Sequence, residues 1–398
     1  MNALEHINLA ERHSARNYLP LPVVLAKGDG VWVEDVEGKR YLDMLSSYSA
    51  LNQGHRHPKV LKAMREQMDR LCLTSRAFHH DTFGPFCETI TRVAGMEQVL
   101  LMNTGAEAVE TAIKLARRWG YTKKGVAAGK AEIIVCANNF HGRTTTIVGF
   151  SSEKLYNDGF GPFTPGFKSI PYGDVDALRA AITPDTVAFM VEPIQGEAGI
   201  IVPPEGYIAA AKKVCAEQNV LLMADEIQTG FGRTGRLFCC EYDRVKPDVL
   251  IVGKALGGGC FPVSGALASK ELMSVFTPGN HGSTFGGNPL ACAVGKVAVE
   301  VVVEEKLPEN SCNMGEYLRT GLARLNSPHI AEIRGRGLLI GVEIKKSSGP
   351  ARPFCERLMQ LGILAKETHG TVIRLAPPLI ITRQEMDWAL ERLAQVLR

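Results

Sequence analysis

Two side chains in this sequence stand where chemistry is commonly done. Val220-Leu-Leu-Met-Ala224 is a short apolar run that ends in Asp225, and Val249-Leu-Ile-Val252 leads through Gly253 to Lys254. Such runs, four or five residues long and bounded by polar residues or glycine, predict buried parallel strands. In an open α/β sheet, groups just past the strand C-termini line the crevice where ligands bind. A carboxylate and an amine delivered to one crevice suit a pyridine cofactor that carries an aldehyde. The acid would keep the ring nitrogen protonated, and the amine would form a Schiff base. In a chain with 45 Lys+Arg and 42 Asp+Glu, a charged residue after a strand is commonplace. The pair therefore takes its meaning from its neighbours.

Those neighbours supply matching chemistry. Leu100-Leu-Met-Asn-Thr104-Gly105-Ala106-Glu107 leads into a helix with Val109, Ala112, Ile113 and Ala116 on one face. A glycine turn opening a helix presents bare backbone N–H groups and the positive end of the dipole, a seat for phosphate. Glu132 to Ala137 predicts another strand, followed by Asn138-Asn-Phe140-His141-Gly142-Arg143-Thr144. Phe140 can stack on a planar ring, and Arg143 can take a carboxylate with two parallel hydrogen bonds. Val187 to Val191 predicts a further strand, ending in Glu192-Pro-Ile-Gln-Gly-Glu197-Ala-Gly. Between these strands, Asp174 to Ile182 reads as a short helix. Pro204 opens one that turns Tyr207, Ala210, Ala211 and Val214 inward. The alternation from about residue 100 to 260 points to an α/β fold, a mainly parallel sheet flanked by helices.

Around this unit the texture changes. Residues 1–47 form a lead-in in which Val31-Trp-Val33 and Tyr41-Leu-Asp-Met44 flank Glu37-Gly38 as a hairpin. Pro58 opens a helix whose stripe is Val60, Met64, Met68 and Leu71. After a large domain over residues 48–288, a smaller α+β domain occupies 289–398. There, Ile330 to Ile344 and Thr371 to Leu375 read as strands, and Thr382-x-x-Glu385 is a capping box for the last helix. Gly230-Phe-Gly232-Arg-Thr-Gly235 matches a dinucleotide fingerprint letter for letter. It neither follows its strand directly nor opens an amphipathic helix, so its context fails. His55/His57 and His79/His80 have no acid or cysteine at ligand spacing, and no metal site is expected.

Composition narrows the function classes. A formal net charge of +3 gives no broad basic face for nucleic acid. No apolar run approaches the ~20 residues that span a bilayer. The first dozen residues lack a signal peptide's apolar centre and carry Glu5 and Glu11. Ten cysteines without a C-x-x-C pair suit a reducing compartment, so a cytoplasmic protein is expected.

With these residues assembled, the chain resembles the class III pyridoxal-phosphate aminotransferases over nearly its whole length. The resemblance is carried by Asn17-Tyr-x-Pro-Leu-Pro22, Leu45-Ser-Ser-Tyr-Ser-Ala-x-Asn-Gln-Gly-His55, Met102-Asn-Thr-Gly-x-Glu-Ala108 and Gly142-Arg-Thr144. It continues through Phe189-Met-Val-Glu-Pro-Ile-Gln-Gly-Glu-Ala-Gly199, Ala224-Asp-Glu-Ile-Gln-Thr-Gly230, Gly253-Lys-Ala-Leu256, His281-Gly-Ser-Thr284 and Ile373-Arg-x-Ala-Pro-Pro-Leu379. It implies a fold-type-I transferase, a homodimer or a higher oligomer of dimers, with pyridoxal 5′-phosphate bound between subunits. Lys254 would carry the cofactor, Asp225 would hold its ring nitrogen, and Gln228 would lie near its ring hydroxyl. Phe140 would stack on the ring, Gly105 and Ala106 would hold the phosphate, and Thr284 would arrive from the second subunit.

The resemblance also implies the substrates. The amino donor would be ornithine, reacting at its δ-amine, and the acceptor 2-oxoglutarate. The products would be glutamate and a semialdehyde that cyclises. Arg374 would bind the carboxylate beside the reacting carbon of the oxo acid, and Glu197 would close onto Arg374 when the donor has no carboxylate there. Arg143 and Tyr18 would hold the distant α-carboxylate and α-amine, with Tyr48 lining the pocket. N-acetylornithine and other ω-amino donors are the alternatives. Tyr18, Tyr48 and Glu197-Ala-Gly favour ornithine, while His141 stands where some relatives carry tryptophan.

Overall fold

The computed structural model describes residues 1–398. Its central sheet has the spatial order Gln98–Met102, Ser264–Ala268, Val249–Val252, Leu221–Asp225, Thr186–Val191, Glu132–Cys136, Phe167–Ile170. Ser264–Ala268 runs antiparallel to both neighbours, and the pairings from Val249–Val252 to Phe167–Ile170 are parallel. This is the mainly parallel α/β sheet expected from the sequence.

Every residue of Thr186–Val191, Leu221–Asp225 and Val249–Val252 is buried. Helices cover both faces, so these strands need continuous apolar sequence and not alternation. The two-residue period still sorts their side chains. Phe189, Val191, Leu222, Ala224, Leu250 and Val252 enter one core. Ala188, Met190, Leu221, Met223, Val249 and Ile251 enter the other. Register pairs Val191 with Ala224 and Asp225 with Ile251. The C-terminal ends therefore align, and Glu192, Asp225 and Lys254 emerge along one rim.

Most predicted helices form as read, with two adjustments. Gly105–Trp119 buries Val109, Ala112, Ile113 and Ala116. The helix expected from Pro204 begins instead at Tyr207, after Gly206 at φ 76°. Its inner face gains Ile208 and Cys215, and Ala210 is only half-buried. Pro58–Met68 buries Val60, but Met68 and Leu71 are exposed, so the far end of the expected stripe is bare in the single chain.

The apolar stretch Ile330 to Ile344 is two strands, not one. Ile330–Arg336 and Leu339–Ile344 pair antiparallel, reversing at Gly337, whose φ is 52°. A Cβ at Gly337 would meet the carbonyl carbon of Thr234 at 2.4 Å, so a glycine is required there for space as well as for backbone angle. With Val372–Leu375 and Lys366–Thr368 these strands make a second sheet. The expected hairpin forms as Trp32–Asp35 and Arg40–Asp43, and Arg40–Asp43 also pairs in parallel with Ile363–Leu364.

The Gly230–Gly235 motif has a structural use. Its Arg233 is fully buried and donates to Asn52 Oδ1 at 2.7 Å, the Leu338 carbonyl at 2.9 Å and the Pro377 carbonyl at 2.6 Å. One guanidinium thus ties four chain segments together. His55 and His57 face the carboxylates of Asp43 and Glu305, at 2.8 and 3.2 Å.

The capping box at the last helix, Arg383–Leu397, is closed in both directions. Thr382 Oγ1 accepts from the Glu385 N–H at 3.3 Å, and Glu385 Oε2 accepts from the Thr382 N–H at 2.8 Å. Thr382→Ala should cost about 1 kcal/mol of stability, read as a lower midpoint in urea with an unchanged slope.

Candidate active site

The strand-end rim borders a cavity of about 130 Å³ lined by Gly105, Ala106, Phe140, Asp225, Gln228 and Lys254, together with His141, Gly142 and Glu192. Each expected cofactor residue except Thr284 is therefore brought to one place. Thr284 is exposed and lies outside this lining.

Lys254 follows its buried strand with a left-handed backbone, φ 46°. Such strain is held in place only by the surrounding structure, and it gathers at functional sites. The residue is half-buried, and burial lowers the amine's pKa below the usual lysine value against the pull of Glu197. A larger neutral fraction makes the amine a better nucleophile and base.

Asp225 is fixed on both oxygens. Oδ1 accepts from the Ile227 N–H at 3.0 Å, and Oδ2 lies 2.6 Å from His141 Nδ1. Burial opposes a charge on His141, but Asp225 outweighs it and raises the ring's pKa. The imidazole is thereby held as a donor to the carboxylate. Its Nε2 is buried and unpartnered.

At the helix start, Thr104 Oγ1 caps the Glu107 N–H at 3.3 Å. The N–H groups of Gly105 and Ala106 precede the first intrahelical bonds and remain available to an anion in the cavity. A side chain at Gly105 would press on Ile227 Cδ1, 3.1 Å from its Cβ. Glycine lets the helix start sit against the strand end. The Phe140 N–H donates to Glu192 Oε1 at 2.8 Å, which sets where the aromatic ring stands.

A second cavity opens beyond Phe140 and contains Tyr18, Arg143 and Glu197, with Tyr156, Glu153 and Glu367. Glu197 Oε1 lies 2.8 Å from Arg374 Nη1 and accepts from Gln228 Nε2 at 3.1 Å. Arg374 is 1% exposed, and its Nη2 donates to the Gly196 carbonyl at 2.8 Å. Burial works against the charge on Glu197, but Arg374 prevails and holds its carboxyl at about 2. The Arg374 guanidinium lies 5.1 Å from the Tyr48 ring centre. Tyr48 reaches that position through a left-handed run, Ser46 to Ser49 at φ 51°, 46°, 60° and 75°. Asp43 Oδ1 supports the run by accepting from Leu45 and Ser46 N–H groups, both at 2.9 Å.

Arg143 differs from Arg374 in one respect. Its guanidinium stacks 4.2 Å over the Tyr156 ring, and no carboxylate of the chain pairs with it. Each of the expected substrate residues (Tyr18, Tyr48, Arg143, Glu197 and Arg374) thus borders the second cavity or the ion pair beside it.

Sequence reasoning passed over three participants. Glu192 is enclosed in the first cavity, and burial, with Asp225 adding to it, pushes its carboxyl up to about 7 against His141. Its signal was available, since it follows a buried strand just as Asp225 does. His141 enters the sequence reading only as a point of difference between relatives, though its place next to Phe140 puts it under the same rim. Tyr156 gave no signal, because its contact with Arg143 depends on how the loop after Gly149 folds back.

A family profile described as aminotransferase class-III matches residues 13–397. The chain is 61% identical over 392 residues to an ornithine aminotransferase of Geobacillus sp. (strain WCH70), covering 98% of each. It is 58% identical over 394 residues to one from Bacillus subtilis (strain 168), covering 99% of this chain and 98% of that protein. Among solved structures, the ornithine aminotransferase of Toxoplasma gondii, with PLP at partial occupancy in its active site, superposes with a TM-score of 0.98 at 45% identity. That alignment covers 100% of this chain and 94% of the other. An acetylornithine aminotransferase from Elizabethkingia anophelis gives a TM-score of 0.91 at 46% identity, covering 100% and 99%. Matched from end to end, with the lysine and aspartate of its strand ends facing one cavity, the chain belongs to the class-III aminotransferases.

Proposed function

We propose that this chain is a pyridoxal-phosphate-dependent transaminase that moves the δ-amino group of ornithine to 2-oxoglutarate. The residues present fit the cofactor. Gln228 lines the cavity, and its buried Oε1 has no donor, so the amide has an acceptor to spare for a ring hydroxyl. The helix start at Gly105 and Ala106 suits its phosphate, Phe140 suits its ring face, and Asp225 suits its protonated nitrogen. When bound, the cofactor supplies an aldehyde that holds the substrate amine and a ring that draws off electrons as a proton leaves the adjacent carbon.

The chain's own residues supply the rest. Lys254, with its lowered pKa, would accept the proton from the substrate carbon and return it two atoms away, across the nitrogen. Asp225, backed by His141, offers a negative charge to the ring nitrogen where positive charge must be kept. Phe140 and Ile227 line the cavity and would exclude water from a ring held there. Arg143 and Tyr18 receive the distant α-carboxylate and α-amine of the donor.

One observation carries the choice of substrate. Arg374 is closed by Glu197 while Arg143 has no carboxylate partner. A donor with a bare amine at the reacting end and a carboxylate at the far end fits that resting arrangement. For the oxo acid, Glu197 would release Arg374 to the incoming carboxylate. Leaving a buried guanidinium unpaired costs ~3–5 kcal/mol, so a movable partner has a clear use.

The same reading includes the assembly. Met68, Leu71, Leu73, Phe78 and Phe285 are exposed, and Thr284 stands beside Phe285 outside the cavity. A homodimer would cover this apolar surface and bring the partner subunit's Thr284 to the cofactor. It also includes the division into a lead-in (1–47), a large unit (48–288) that contains the seven-stranded sheet and a small unit (289–398) that contains the second sheet. No helix is long and apolar enough to cross a membrane, and a cytoplasmic setting fits ten free cysteines.

Turnover of ornithine against N-acetylornithine tests the proposal. With 2-oxoglutarate as acceptor, ornithine should give the higher kcat/KM by at least about tenfold, with the semialdehyde trapped as its cyclised form. The reverse preference would assign the chain to the acetylated donor.

A further inference from the structure

The second cavity holds a charged group that the proposed mechanism leaves idle. Glu367 lies on the short strand Lys366–Thr368, whose register places Lys366 opposite Arg374. The next residue, Thr368, donates to the Glu197 carbonyl at 2.7 Å. Glu367 lines the cavity with Tyr18 and Arg143. Burial raises the pKa of the Tyr48 phenol, and Glu197, Tyr18 and Glu367 all add to that rise. These groups therefore share one electrostatic neighbourhood.

The two carboxylate oxygens of Glu367 are unequal. Oε1 accepts from Lys366 Nζ at 2.6 Å and from Arg352 Nη1 at 3.2 Å. Oε2 is enclosed and has no donor. An enclosed carboxylate oxygen without a donor is unfavourable until something supplies one. The terminal torsion is broad and two-fold, so either oxygen can be turned to the cavity. Both cations, besides pairing with Oε1, are also engaged elsewhere. Arg352 donates to the carbonyls of Leu19 and Pro20 at 3.1 and 3.0 Å, and Lys366 donates to that of Leu19 at 3.3 Å. They hold the Tyr18 segment in place and leave one carboxylate oxygen to spare.

The cavity thus offers an unpaired guanidinium and a carboxylate with one free oxygen. An α-amino acid end, with carboxylate and ammonium on one carbon, complements that pair. We propose that Glu367 is a specificity-determining residue, receiving the α-ammonium of the amino donor together with the Tyr18 hydroxyl while Arg143 takes the α-carboxylate. The inference rests on ornithine as donor and names what reads its unreacting end. It also gives a reason for rejecting N-acetylated donors. Acylation removes the positive charge and leaves a single N–H, so Glu367 would face a neutral amide.

The test compares wild-type holoenzyme with Glu367→Gln, which keeps shape and removes charge. Ornithine and 5-aminopentanoate, which has hydrogen in place of the α-ammonium, are followed in single half-reactions, with glutamate as a third substrate. The substitution should lower kcat/KM for ornithine by about tenfold or more, chiefly through KM. It should change 5-aminopentanoate by less than about twofold and not lower glutamate. An unchanged ratio of ornithine to 5-aminopentanoate in Glu367→Gln overturns the inference alone, as does equal loss on all three substrates. Failure of the wild type to use ornithine overturns the underlying reading and this inference with it.

Discussion

Lys254→Ala should lower complete transamination by at least ~10⁴-fold while the chain stays folded. Two jobs are lost together. The amine that would hold the cofactor before substrate arrives is gone, and so is the base that takes the proton from the substrate carbon and returns it to a carbon on the other side of the nitrogen. No neighbour can replace it. Asp225 is engaged by Ile227 and His141, and Glu197 is engaged by Arg374 and Gln228. The side chain lines the cavity, so alanine leaves space there that a small free amine can enter. Part of the lost rate should return with added methylamine, which would separate missing chemistry from damaged structure. Activity within about tenfold of wild type would move the proton transfer to another residue.

Glu197→Ala should divide the two half-reactions. With ornithine bound, Arg374 would be left buried, with only the Gly196 carbonyl and the Tyr48 ring beside it. An uncompensated buried cation costs ~3–5 kcal/mol, so the ornithine half-reaction should slow by ~100-fold or more. With glutamate, the substrate's own carboxylate takes the vacated place, and the rate should change by less than about tenfold. Single-turnover absorbance of each half-reaction measures both. Equal loss in the two would remove Glu197 from the role of a movable partner.

Four strands of the seven-stranded sheet, Glu132–Cys136, Thr186–Val191, Leu221–Asp225 and Val249–Val252, were legible because they obey a simple rule. Buried on both faces, they are written as unbroken apolar runs, and their ends mark the rim where Asp225 and Lys254 stand. The helix at Gly105 was legible for the same reason, its glycine, cap and apolar stripe agreeing with one another. The turn at Gly337 was not, because the strands on either side share one apolar texture and the need for glycine comes from Thr234, more than a hundred residues earlier. The start of the helix after Pro204 was misread because proline marks where a helix is permitted, while Gly206 marks where it begins.

Within the site, residue types named the chemistry, but the pairings had to be seen. The link from His141 to Asp225 depends on the alignment of two strand ends. The clamp of Arg233 across four segments turned an apparent dinucleotide motif into a structural device. Glu367 gave no sign in the sequence, standing between Lys366 and Thr368 on a strand too short to show a pattern. Thr284 was assigned to a neighbouring subunit from the resemblance alone, and its exposed position outside the cavity is compatible with that proposal.

Borohydride reduction of the enzyme reconstituted with pyridoxal phosphate, followed by peptide mapping, tests most directly whether the amine and the acid at the strand ends serve one ring. The reduced cofactor should be found covalently attached to the peptide containing Lys254, with the visible band bleached in step. In Asp225→Ala, attachment should persist while transamination falls. A label on any other lysine, or none at all, would contradict the assignment of this cavity.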